Sequence, residues 1–451
     1  MIIMRKLGGI KAPHLKNTAE STPQVMPVPA EVRLPMSMHS GAPANPVVAV
    51  GDYVKVGQLI GEAVGSVSSP VHASVSGTVK SIDNLDDITG EKAVTITIAS
   101  DGAQTPWEGI APVQVTNLGE FLEAVKNSGV VGLGGAGYPT APKLTLKESV
   151  KLDYILVNGA ECEPYITSDT RTMVDDTGYV WEGVLLMKEY LKPKNIIICI
   201  ENNKPQAIKK FKELCANFAE GISVRVLPSL YPQGERKVLV YNVTGRIVPE
   251  GGRLPDVGCV VINCTTVATF AKYIKTGNPL VTKCITVDGS AVKKPMNVIA
   301  PIGTPVRDLF EYCGLTSEGK LNDDIKKITL GGPMMGVAIP NIEIPVVKIT
   351  NAVLAFSAKD AFPPEPTACI KCGRCISKCP MSLMPPNIEN AFVLKKPLEL
   401  KKYKVNMCAE CACCAFSCPA KRPLVQVMML AKNMLWEYEK AQSPKKTEVK
   451  T

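Results

Sequence analysis

Two stretches constrain this chain more than any others: "CIKCGRCISKCP" from Cys369 and "CAECACCAFSCP" from Cys408. The first sets cysteines at Cys369, Cys372, Cys375 and Cys379. The second repeats those steps at Cys408, Cys411, Cys414 and Cys418, and a proline follows the fourth cysteine in both. Two-residue gaps let three thiolates close around one corner of a cubane, while the fourth cysteine of such a run ligates the other cluster where two are present. The spacing therefore predicts two [4Fe–4S] clusters, one on Cys369, Cys372, Cys375 and Cys418, the other on Cys408, Cys411, Cys414 and Cys379. Zinc knuckles pair their ligands at wider separation. Cys413 falls off the register and is expected to be a non-ligand.

The rest of the composition fits a reducing compartment. Of 16 cysteines in 451 residues, nine lie within 369–418. A disulfide scaffold would be short and carry cysteine throughout. Cys162, Cys199, Cys215, Cys259, Cys264, Cys284 and Cys313 lie mostly in apolar stretches, and most of them, Cys162 set apart, are expected to pack as small hydrophobes. The opening "MIIMRKLGGIKAPH" lacks the apolar stretch of a secretory signal, and no apolar run reaches the roughly 18 residues that a membrane span needs. A net charge of +9 with scattered lysines forms no basic stripe, so no nucleic-acid partner is expected.

Texture divides the chain into a multidomain α/β plus all-β protein. Residues 1–112 alternate apolar and polar positions around turn glycines, as in "VVAVGDYVKVGQLIGEA", and read as a small all-β domain. From 113 to 282, apolar strands such as "YILVN" and "NIIICI" alternate with helical segments, the pattern of a parallel sheet. Residues 283–350 return to β character around one short helix, and 351–367 read as a linker containing "AFPPEPTA". Residues 368–440 hold the cysteines and a closing amphipathic helix, whose Leu and Met stripe is expected to pack in a core. Residues 441–451 read as a disordered basic tail.

The α/β segment carries the second chemical signal. "VVGLGGAGYPTAPKL" lets backbone approach phosphate at Gly134, Gly135 and Gly137, with Lys143 as a neutralising cation, although Pro139 and Pro142 interrupt the helix that a dinucleotide fingerprint opens into. "VNGAECEPYITSD" places Asn158, Glu161 and Glu163 past the end of a strand, where open α/β sheets bind ligands. "YPQGERKVLVYNVTGR" adds Tyr231, Gly234 and Glu235, and "GCVVINCTTVATFA" adds Asn263 and Thr266.

Together these segments resemble the flavin-binding, NADH-oxidising subunit of respiratory complex I. There a Gly-rich loop, an Asn-x-x-Glu-x-Glu-Pro segment, a Tyr-x-x-Gly-Glu turn and an Asn-x-x-Thr strand end hold FMN and NADH. The resemblance implies the same cofactor-binding role for the twelve residues just named. It departs at Ala160, where that subunit has Asp, and at Arg236, where it has a second Glu.

The whole layout is more similar still to the C subunit of the Rnf complex, the membrane-bound ferredoxin:NAD+ oxidoreductase. "GGIKAPH", "GDYVKVGQLIGEA" and "SSPVHASVSGTV" resemble its barrel-sandwich hybrid domain, with Lys11 and Ala12 where the family tends to have His and Pro. "ITVDGSAVKKPMNVIAPIGTPVRDLF" resembles its soluble-ligand-binding β-grasp module. The resemblance implies a Rossmann-like FMN/NADH domain and a ferredoxin-like helical domain with both clusters. It also implies hydride exchange between NAD(H) and non-covalent FMN, with electrons passing singly through the clusters. Partners would be the other subunits of a membrane assembly and, indirectly, ferredoxin, with the chain peripheral on the cytoplasmic side. His14, His39 and His72 lie far in sequence from the flavin motifs, consistent with chemistry carried by the cofactor. Two alternatives remain: a soluble flavin and iron–sulfur reductase such as a cobalamin reductase, and an electron-relay scaffold that binds no NADH.

Overall fold

The structure, a computed structural model, describes residues 7–218, 220–317 and 320–442. The basic tail expected from 441 lies outside these residues, apart from Ala441 and Gln442, which end the last helix. The chain forms two compact units. One comprises 13–229 and 246–361; the other collects 1–12, 230–245 and 362–451.

The larger unit is built around a parallel four-stranded sheet, ordered Ile222–Leu227, Asn195–Glu201, Tyr154–Gly159, Cys259–Asn263. Burial explains its sequence: Ile155, Leu156, Val157, Ile196, Ile198 and Val260 are all inaccessible or nearly so, which selects continuous β-branched and aliphatic runs. Strand order runs outward from Tyr154–Gly159 and then crosses back, so a topological switch point lies between Tyr154–Gly159 and Cys259–Asn263. Helices Thr177–Leu191 and Cys264–Thr276 pack against each other. Helix Leu118–Asn127 begins on Asn117, whose side chain accepts from Glu120 N, as its sequence predicts.

Two antiparallel sheets of four and three strands occupy 31–100, and their apolar faces (Val32, Leu34, Ile60, Val79, Ile96) join a core continuous with the parallel-sheet domain. Residues 13–25 do not join those sheets. Instead Gln24–Val25 adds in parallel to Met296–Pro301 at the edge of a six-stranded mixed sheet.

That sheet corrects the expected linker at 351–367. Ala352–Phe356 is one of its inner strands, pairing with Thr282–Asp288 on one side and Lys327–Leu330 on the other. All five of its residues are buried. The run "AVLAF" has no polar alternation because both faces are covered, and Pro363 and Pro364 put the linker signal further downstream.

The smaller unit is helical. Helix Leu424–Gln442 packs on Pro385–Val393 and Pro397–Lys402, around Leu383, Ile388, Leu400, Met428, Ala431 and Leu435. The expected stripe divides: Leu424, Met428 and Leu435 are buried, whereas Met429, Leu430 and Trp436 stay exposed. Residues 230–245 belong here rather than with the parallel sheet, and Tyr231 pairs with Ile10 through both backbone groups (2.9 and 3.0 Å). Among the described residues no helix is long and apolar enough to cross a membrane.

Candidate functional site

In the larger unit, the glycine loop leaves Val131 and closes on itself where Gly137 N–H donates to Gly132 O at 3.0 Å. Gly135 (φ 106) and Gly137 (φ 64) adopt left-handed conformations that favour glycine. Gly134 answers a different need, because a Cβ there would stand 3.0 Å from the Asn263 amide nitrogen. Thr266 fastens the loop from below: its hydroxyl donates to Val131 O and accepts from Leu133 N, both at 3.0 Å. Lys143 lies half-buried on the short helix Thr140–Leu144 that follows.

Asn158 and Asn263 stand opposite each other at the carboxyl ends of adjacent parallel strands, at the switch point. Asn158 Oδ1 accepts from Ala160 N at 3.1 Å. Asn263 caps helix Cys264–Thr276 through Thr266 N (3.0 Å) and donates to Asp169 Oδ2 at 2.7 Å. Ala160 is fully buried, and its carbonyl accepts from Lys204 Nζ at 2.6 Å.

The segment after Asn158 is held by a charge network. Glu161 takes a left-handed backbone (φ 48), and its carboxylate accepts from Asp169 N (2.6 Å) and from the Thr170 amide and hydroxyl. Glu163 accepts from Met334 N at 3.1 Å, with Gly332 close beside its carboxylate. Lys16 donates to three backbone carbonyls of this one loop, Glu161 (2.7 Å), Glu163 (2.8 Å) and Ile166 (2.6 Å). Burial pushes the Glu161 carboxyl up and the Lys16 ammonium down. Lys204 and Glu201 form a buried pair at 3.3 Å nearby.

Sequence reading missed Lys16, Asp169 and Lys204. Lys16 sits in a polar stretch with no periodicity, and nothing local marks a residue that acts on a loop some 150 positions away. His14 misled in the same way: remote in sequence, it accepts through its carbonyl from Tyr165 N at 3.1 Å, and its ring meets the Asn203 side chain at 3.2 Å.

The other three expected cofactor residues lie in the smaller unit. Tyr231 is buried, and Glu235 caps helix Arg236–Thr244 by accepting from Lys237 N (2.8 Å) and Val238 N (2.9 Å). Burial pushes the Glu235 carboxyl up. Gly234 precedes it in the turn, and Arg236 is exposed.

The cysteines occupy this same unit. A small, partly open cavity is lined by Cys379 together with Cys408, Cys411, Cys413 and Cys414. That is the first register's fourth cysteine with the second register's first three. Among the described residues no group of three or more such side chains is placed to hold a metal ion. In the other set, burial first and then the neighbouring Cys418 and Cys369 push the Cys375 thiol up. Backbone amides of Lys371, Leu383 and Glu410 donate to Cys369, Cys379 and Cys408 sulfurs at 3.4 Å. Burial pushes the Cys408 thiol up to about 11 and the Cys414 thiol up to about 12, so they ionise only against a cationic metal group. Cys379 with Cys408, Cys411 and Cys414 supplies four thiols around one space, the donor chemistry that a cubane cluster takes.

Among the remaining cysteines, Cys199, Cys259, Cys264 and Cys313 are buried, while Cys162, Cys215 and Cys284 are half-buried.

Comparison with known proteins agrees with this architecture. The "RnfC Barrel sandwich hybrid domain" family matches residues 4–103, the "Nuo51 FMN-binding domain" family matches 125–272, and the "SLBB domain" family matches 284–338. The chain is 38% identical over 375 residues to the C subunit of the proton-translocating ferredoxin:NAD(+) oxidoreductase complex of Clostridium ljungdahlii, covering 82% of this chain and 80% of that one. It is 36% identical over 376 residues to the C subunit of the ion-translocating oxidoreductase complex of Rhodobacter capsulatus, covering 82% and 72%. A crystal structure of an NAD+-reducing [NiFe]-hydrogenase in the air-oxidized state overlaps it at a TM-score of 0.47 and 18% identity, over 62% of this chain and 53% of that one, a likeness too slight to bear on function.

The fold and domain matches define a multidomain oxidoreductase subunit with an FMN-binding domain. Within that class, the chain belongs to the family of C subunits of the Rnf-type ion-translocating oxidoreductases.

Proposed function

We propose that this chain is the electron-transfer subunit of an Rnf-type complex that meets NAD(H) at a bound FMN and relays electrons through two [4Fe–4S] clusters. The chain is an oxidoreductase subunit by family, and the observation that carries the relay reading is the cavity joining Cys379 to Cys408, Cys411 and Cys414. When bound, FMN supplies hydride exchange with the nicotinamide and release of electrons one at a time.

The protein's own residues position that chemistry. Gly134, Gly135 and Gly137 leave backbone bare for a phosphate, with Lys143 as its counter-charge. Asn158 and Asn263 present amides at the switch point, and Thr266 keeps the loop in place. Glu161 and Glu163 stiffen the neighbouring segment, and it is the resemblance to the complex I subunit that assigns Tyr231, Gly234 and Glu235 to the cofactor. Cys369, Cys372, Cys375 and Cys418 hold one cluster, and Cys408, Cys411, Cys414 and Cys379 the other. The mixed sheet with helix Val306–Tyr312 supports a β-grasp reading of 283–350, and the repeated cysteine turns support a ferredoxin-like reading of 368–440. The relatives' membership in ion-translocating complexes supports peripheral attachment to partner subunits on the cytoplasmic side of a membrane.

The test is an anaerobic titration of the FMN- and iron-reconstituted chain with NADH, following flavin and cluster absorbance together. Bleaching of both is expected. Clusters that reduce with dithionite while neither chromophore responds to NADH would overturn the reading and leave a relay without a nucleotide site.

A further inference from the structure

Among the described residues three lysines are buried, Lys204, Lys283 and Lys348, all in the larger unit. An ammonium carries three donors, and the fold gives two of these lysines three acceptors each. Lys204 Nζ donates to Ala160 O (2.6 Å), Asn203 Oδ1 (2.9 Å) and Glu201 Oε2 (3.3 Å). Lys348 Nζ donates to Pro70 O (2.5 Å), Gly129 O (2.7 Å) and Ser69 Oγ (3.2 Å). Lys283 is only 4% exposed, yet its one acceptor is Leu133 O at 3.4 Å. That is beyond the usual N–H···O range of about 2.7–3.2 Å. Burial pushes this ammonium down, and the Asp169 carboxylate acts against that without pairing with it.

The single contact points to the glycine loop. Leu133 stands directly before Gly134 and Gly135, and a Cβ at Gly135 would meet nothing within 4 Å. Leu133 N is already held by the Thr266 hydroxyl at 3.0 Å. The buried cation therefore reaches the loop where its backbone is bare. It comes from outside the loop's own domain: Lys283 lies on strand Thr282–Asp288, beyond the FMN-binding match at 125–272 and just before the SLBB match at 284–338. A buried charge short of partners costs stability, and such costs are kept where function needs them. The partner that answers three ammonium donors is an anion with several acceptor oxygens, as a phosphate is.

We propose that Lys283 is a binding residue for the phosphate of FMN: its ammonium, delivered from the mixed sheet to the glycine loop at Leu133, makes the site prefer the phosphorylated flavin. The proposal rests on the FMN reading above and deepens it, adding a buried cation to the half-buried Lys143.

The experiment compares binding of FMN with that of riboflavin, the same flavin without its phosphate, by quenching of flavin fluorescence. It uses the full chain, reconstituted anaerobically with iron and sulfide, as wild type and Lys283→Met, and each is also melted without flavin. Wild type is expected to bind FMN more tightly than riboflavin. Lys283→Met should lose about tenfold or more in FMN affinity, the worth of a charge-assisted hydrogen bond, while binding riboflavin as wild type does. Without flavin, Lys283→Met should melt no lower than wild type, since an apolar chain of similar length replaces a poorly bonded buried charge. FMN and riboflavin weakened alike, or a lower melt for Lys283→Met, makes Lys283 a structural residue and overturns the proposal. Unchanged FMN affinity in Lys283→Met, or a wild type that binds both flavins equally, overturns it as well. A wild type that binds neither flavin sinks the FMN reading itself, and the two failures are thereby told apart.

Discussion

The two cysteine registers share a backbone and differ in surroundings. Lys371 and Glu410 are both left-handed (φ 54 and 55), as are Gly373 and Ala412 (φ 73 and 59) and Ser382 and Lys421 (φ 55 and 53). Short helices Arg374–Ser377 and Cys413–Phe416 occupy matching places, and Pro385–Val393 and Leu424–Gln442 begin at matching positions. Yet Cys369 and Cys372 are exposed, whereas Cys411 and Cys413 are buried. The cover over the second set comes from distant chain: Gly8 lies against the Cys379 carbonyl, Tyr231 O meets Cys413, and Lys237 Nζ reaches Met407 Sδ at 3.8 Å. Spacing decides how each turn is built, and long-range packing decides how exposed each cysteine set is. Exposure and hydrogen bonding to sulfur set cluster potentials, so a repeated motif need not give repeated function.

The crossing of ligands is the sharpest way to break this picture, and its expected effect is the largest. Cys379→Ala should remove the buried cluster although Cys379 belongs to the first register. Cys418→Ala should remove the exposed one. Iron analysis should fall from about eight to about four in each case, with different EPR signals surviving. If Cys379→Ala instead erases the exposed cluster, each register closes on itself and the crossed ligand sets are wrong.

The difference in exposure has a kinetic consequence. In the metal-free chain, iodoacetamide should modify Cys369 and Cys372 at least about tenfold faster than Cys408, Cys411 and Cys414, because reaction needs an accessible thiolate. Peptide mapping by mass spectrometry reads the order directly. Equal rates would mean that the cover from 7–12 and 230–245 opens freely without metal.

Much of this was legible because it is local. The matching cysteine turns and the apolar strands both depend on neighbours a few residues away. The switch-point asparagines were legible as well, since strand ends in an alternating α/β pattern have a known use. What escaped was long-range. Ala352–Phe356 read as linker because an inner strand has no alternation to betray it, and Lys16 had no signal at all. Lys16→Met tests how much that missing residue matters. It leaves three loop carbonyls short of a donor, and each buried unsatisfied group costs about 1–3 kcal/mol, less whatever water restores. A loss of about 2–3 kcal/mol is expected, read by thermal melting, with weaker FMN binding beside it. A melt unchanged within error would show that the loop holds its shape through Glu161 and Glu163 alone.

The finest test addresses the turns themselves. Gly373 and Ala412 occupy equivalent left-handed positions, and a Cβ at Gly373 meets nothing within 4 Å. Gly373→Ala therefore has no steric clash to suffer, only the intrinsic penalty of about 1 kcal/mol for an L side chain in this region. That corresponds to a melting shift of roughly 2–4 °C in a chain of this size or less. Ala412→Gly relieves the same strain but gives the unfolded chain about 0.5–1 kcal/mol of added backbone freedom, so it should come out near neutral. If Ala412→Gly destabilises by more than Gly373→Ala, the Ala412 methyl is making packing contacts that the first register lacks. The inequivalence of the two clusters would then begin in the turns, before any distant segment covers them.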